Sequence, residues 1–226
     1  MTSTARIRLA STLVFLTLAA PVAFADGGGS KPSTPANPPP ETTRPTSPEE
    51  QAAIAKQKAE TTYASAYKDV EKAQKELAEA TALRAGGDAK NAKKADEKEA
   101  SATKKLKKSA GQFEQVVAVI PDHANAWNML GYSRRMSGDL DGAFTAYWKC
   151  LEIDPQHAGA HEYLGEAYLK SGKLAQARGE LAFLEKKKAP EAQKLAAGID
   201  AWVKANPEAA KAAEKASVTP PPVETK

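Results

Sequence analysis

The sequence predicts an all-α chain: a long helical hairpin followed by a short solenoid of shorter helix pairs. Two observations carry this. Pro is absent from 49 to 119, where Ala, Lys and Glu, all strong helix formers, are the commonest residues. From Ala124 onward the chain resembles itself with a 34-residue period, the mark of stacked supersecondary units. No convincing strand pattern interrupts either region.

Composition narrows the function classes. The 226 residues are 42% hydrophobic and 27% charged, which fits one soluble domain with flanking segments. The 32 basic residues against 28 acidic ones give +4, too balanced for a dedicated nucleic-acid binder. A lone Cys, Cys150, excludes an internal disulfide and any multi-cysteine metal site. Three histidines, His123, His157 and His161, offer little material for a metal centre.

The first element, 1–25, reads as a secretory signal peptide. Arg6 and Arg8 form a basic start, an apolar run follows, and Ala23-Phe24-Ala25 offers small residues for cleavage before Asp26. A retained anchor is the alternative, but the run is about 16 residues, short of the roughly 20 that a spanning helix needs. Export to an oxidising compartment, the bacterial periplasm, follows as the expected location. The next element, 26–48, is rich in Gly and Pro, has little apolar surface to bury, and reads as a disordered linker.

A hairpin occupies 49–123. Ser47-Pro48-Glu49-Glu50 opens its first helix with a cap, a Pro at the first position and acids at the positive helix end. That helix should run to about Leu83, with a thin stripe of Ile54, Tyr63, Tyr67, Val70 and Leu77 padded by Ala. Gly86-Gly87-Asp88 turns the chain, and a second helix runs to Ile120, before Pro121. Its last turns gain an apolar face of Leu106, Ala110, Phe113, Val116 and Val117.

Two repeats follow, 124–157 and 158–191. Ala124, Leu130, Gly131, Gly138, Leu140 and Ala143 recur as Ala158, Leu164, Gly165, Gly172, Leu174 and Ala177. With Trp127, Tyr147, Pro155 and Tyr168, these residues resemble the tetratricopeptide repeat (TPR) family. The resemblance implies a TPR-type helical-hairpin solenoid. There are departures: Arg134 stands where the family has Tyr, His161 where the first unit has Trp127, and the second closing Pro shifts to Pro190. Stepping back by the repeat length aligns Phe113 with Tyr147 and Pro121 with Pro155, so the hairpin carries a degenerate repeat. A closing helix is expected over 192–206, with Leu195, Ile199, Trp202 and Val203 on one face, and a flexible tail over 207–226.

No catalytic set is legible. His161-Glu162 lacks the second His of a zinc-protease helix, and Gly172-Lys173 lacks the rest of a phosphate loop. The expectation is a non-enzyme with no cofactor and no metal. Cys150 is expected to be a buried small side chain. What the TPR resemblance implies instead is protein–protein interaction through a concave groove lined by first helices. Its groove positions fall on Asn125, Asn128, Tyr132 and Arg135 in one unit, and on Glu162, Glu166, Leu169 and Lys170 in the next. The expected partner is another protein or peptide of the cell envelope, and self-association stays open. The alternative is a tether whose Lys-rich helix (Lys90, Lys93, Lys94, Lys98, Lys104, Lys105, Lys107, Lys108) touches an anionic envelope surface.

Overall fold

The computed structural model describes residues 47–218. The expected signal segment, nearly all of the linker and 219–226 lie outside the described residues. Among the described residues the chain forms eight helices and no strand. They are α1 (Pro48–Ala85), α2 (Ala89–Val119), α3 (Ala124–Met136), α4 (Leu140–Ile153), α5 (Ala158–Lys170), α6 (Leu174–Lys186), α7 (Glu191–Ala205) and α8 (Pro207–Val218). None is both long and apolar enough to cross a membrane.

The start of α1 is fixed by a capping box. The Ser47 hydroxyl accepts from the Glu50 N–H at 3.2 Å, and the Glu50 carboxylate accepts from the Ser47 N–H at 2.8 Å. Asp88 caps α2 by accepting from the Asn91 N–H. What joins the two long helices is a seam of small side chains. Ala59, Ala66, Ala73 and Ala80 recur every seven residues on α1, as do Ala95, Ala102, Ser109 and Val116 on α2, and all are buried. Small residues at a heptad position let two backbones approach closely. The Ser109 hydroxyl, itself buried, donates across the seam to the Ala66 carbonyl at 3.2 Å. Val70, Leu106 and Phe113 add bulk beside the seam.

Ion pairs run along the hairpin's flanks. Arg84 holds Asp96 and Glu99 at 2.7 and 2.8 Å, Lys105 holds Glu76 at 2.8 Å, and Lys108 holds Asp69 at 2.7 Å. Lys98 pairs with Glu79. Exposed pairs of this kind add little stability individually, but their order along both helices disfavours other registers.

The repeats then stack on this hairpin. Both pair turns place Gly in the left-handed region, Gly138 at φ 98° and Gly172 at φ 71°. A Cβ at Gly131 would stand 2.5 Å from Tyr147, and one at Gly165 would stand 2.5 Å from Leu195. The two glycines thus serve different contacts, the first within its own pair and the second toward the next pair. Phe113 and Tyr147, one repeat apart, are both fully buried. The departure at His161 keeps the role of the residue it replaces. Trp127 Nε1–H donates to the Pro121 carbonyl at 2.8 Å, and His161 Nε2 makes the equivalent bond to the Pro155 carbonyl at 3.2 Å. Arg134 has found other partners, Glu114 at 2.7 Å and the Gly142 carbonyl at 3.1 Å.

The C-terminal end corrects the expected flexible tail. Residues 207–218 form α8, so α7 is the first helix of a third pair rather than a solitary closing helix. Pro207 takes the first position and Glu208 lies in the first turn, both favourable at a helix start. Ala210 and Ala213 pack with Leu195, Ile199, Trp202 and Val203, and Arg178 of α6 reaches Glu214 at 3.1 Å.

Candidate functional site

The first helices of successive pairs, α1, α3, α5 and α7, touch in sequence and build one continuous face. All eight residues expected to line a groove lie on α3 and α5 of this face. Their burial differs from the expectation of an open lining. Asn128, Tyr132, Arg135, Glu162 and Leu169 are buried, Glu166 is half-buried, and only Asn125 and Lys170 are exposed. The reason is the closeness of α3 and α5, which makes these side chains the cement between repeats.

Arg135 is the centre of that cement and is only 4% exposed. Its guanidinium pairs with Glu166 across the repeat boundary at 2.6 Å, and its Nε–H donates to the Tyr147 hydroxyl at 3.3 Å. It also lies 5.4 Å and 5.5 Å from the ring centres of Tyr132 and Tyr163, which suits cation–π attraction. Tyr132 and Tyr163 contact each other at 5.0 Å. Lys170 reaches back to the Arg135 carbonyl at 3.5 Å, and burial followed by the Arg135 charge lowers its pKa. At the other end of the face, the Asn125 carbonyl oxygen meets His157 Nε2 at 2.9 Å. That ring caps α5 through its Nδ1, which accepts from the Ala160 N–H.

A second cluster joins α5 to α7. Glu162 is buried beside Glu166 and Glu191, and its carboxyl is pushed up, chiefly by burial, against the lowering pull of Lys194. Lys194, itself largely exposed, stands 3.7 Å from Glu162. Tyr163, Glu191 and Lys194 did not stand out in the sequence. Tyr163 falls on a family position without a signature residue, Glu191 ends the second expected repeat, and Lys194 lies on the helix read as a mere closure.

Residues that could carry chemistry are otherwise engaged. Cys150 is fully buried, and burial, then Asp154, pushes its thiol up to about 12, away from the thiolate. His161 is held by Glu180 at 2.6 Å and stacks on Phe183. Among the described residues no three His, Cys, Asp or Glu gather as a metal would require.

Residues 134–199 match the family model of the tetratricopeptide repeat. This stretch of the chain is similar to tetratricopeptide repeats. The match covers the first pair's turn and second helix, the whole second pair and much of α7. TPR domains are typically non-catalytic scaffolds that bind other proteins or peptides, and protein interaction is the role that this fold supports.

Proposed function

We propose that this protein binds a partner protein of the bacterial cell envelope along the face of α1, α3, α5 and α7, and performs no chemistry of its own. The observation that carries the reading is the unbroken run of first helices, with polar side chains at its floor and Asn125 and Lys170 at its exposed rim. Arg135, Glu166, Tyr132 and Tyr163 make that floor rigid, and a rigid face binds at lower entropic cost. The envelope location rests on the signal-like 1–25 segment, which lies outside the described residues.

The tethering alternative loses material. Lys98, Lys105 and Lys108 are already paired with carboxylates of α1. The test is capture from envelope extract by the full chain, beside a rim variant, Asn125→Arg/Lys170→Glu, whose helical circular dichroism matches the parent. A protein retained by the parent and lost by the variant supports the face. Equal retention removes it.

A further inference from the structure

Two oxygen acceptors on α3 and α7 lack the donors that buried oxygens ordinarily find, and a buried carboxylate of α5 lies with them. The Asn128 side-chain oxygen is buried without a hydrogen bond, and the residue is only 6% exposed. One oxygen of Glu191 is likewise buried and unpartnered. Glu162, 3% exposed, has Lys194 as its nearest counter-charge, at 3.7 Å. These groups are neighbours. Position 159 lies one turn before Glu162 on α5, and a Cβ there would stand 3.3 Å from the Asn128 amide nitrogen. Because residue 159 is Gly, α5 approaches the Asn128 side chain closely. Glu191 lies close enough to Glu162 to raise its pKa.

Every unsatisfied atom here is an acceptor, and the charged ones are carboxylates. The fixed cation of the face, Arg135, is committed to Glu166 and Tyr147. Lys194 differs: its side chain is 72% exposed and sits beyond hydrogen-bonding distance. It stands as a loosely held intramolecular cation over an acidic floor.

We propose that the Asn128–Glu162–Glu191 cluster is a subsite for a lysine or arginine side chain of the bound partner, which displaces Lys194. This deepens the groove reading and rests on it. The incoming ammonium or guanidinium supplies several N–H donors at once to oxygens that have none, which makes the bonds charge-assisted. Recognition at this point selects a basic segment of the partner over an acidic one.

The test uses the full chain and fluorescein-labelled peptides of repeating Ala-Ala-Lys, Ala-Ala-Gln and Ala-Ala-Glu, read by anisotropy at low salt. The Lys peptide is expected to bind more tightly than the Gln peptide, and the Glu peptide most weakly. Glu162→Gln should weaken the Lys peptide about tenfold. Lys194→Ala, which removes the resident cation, should strengthen it, whereas Lys204→Ala, the same charge change further along α7, should leave it unchanged. Equal binding of Lys and Gln peptides overturns the subsite, as does equal strengthening by Lys194→Ala and Lys204→Ala, which would mark a diffuse charge effect. Failure here leaves the face itself standing whenever the rim variant still loses its partner.

Discussion

A methyl group added at Gly131 would meet the ring of Tyr147, which is fully buried and has no room to swing away. Gly131→Ala should therefore cost about 1–3 kcal/mol of stability by overpacking. Gly179, also helical, has nothing within 4 Å of a Cβ, so Gly179→Ala should be stabilising by about 0.5–1 kcal/mol. Urea unfolding of both variants checks the contrast. In the sequence Gly131 is legible only as a recurring small residue, and its contact with Tyr147 needs the structure. The burial of Arg135 was not legible either, because an arginine at a groove position looks solvent-facing until its Glu166 and Tyr147 partners are placed. Arg135→Ala should cost about 3 kcal/mol, and Arg135→Met/Glu166→Gln less, since the double change leaves no lone charge. His161 sets a pH dependence. Burial works against its charged form, but the bonds to Glu180 and Pro155 more than offset this and raise its pKa. Its contribution is then complete below the unfolded value of about 6.5 and is lost as pH rises through the raised folded value. Melting temperatures across that range should fall toward alkaline pH more for the parent than for His161→Gln.

At the scale of elements, the α1–α2 seam and α8 are where sequence reading and structure part. Caps, turns and lengths of α1 and α2 could be read, since Ser47, Glu50 and Asp88 act locally. In the sequence alone the α1 alanines look like padding between larger residues. Their spacing of seven shows its purpose only when Ala95, Ala102 and Ser109 face them. Ala73→Leu should push the helices apart and cost about 1–3 kcal/mol, seen as a lower thermal midpoint. Pro207 directly after Asn206 looks like a terminator in the sequence, whereas a Pro at the first position equally starts a helix, as it does in α8. Removing 207–226 would strip cover from Leu195, Ile199, Trp202 and Val203. Hydrogen exchange in α7 should then quicken markedly while α1 and α2 keep their protection.

Over the whole molecule, each pair covers its neighbour's apolar surface, and the order of contacts from α1 to α8 follows the chain. The likeness of 134–199 to tetratricopeptide repeats lies in small residues at fixed spacing, because those residues must be small for helices to pack. The expected groove positions fall on α3 and α5, yet which of them stay accessible was not legible. Exposure depends on how far adjacent repeats close over one another, which is a property of packing between units. The central claim, that the first-helix face is where a partner sits, is tested most directly by site-specific photocrosslinking. A benzophenone side chain is placed at Lys170 on that face, and separately at Gly179 on an outward turn of α6, both exposed. A partner adduct from position 170 and none from 179 is the result the account predicts. An adduct from 179 with none from 170 would contradict it.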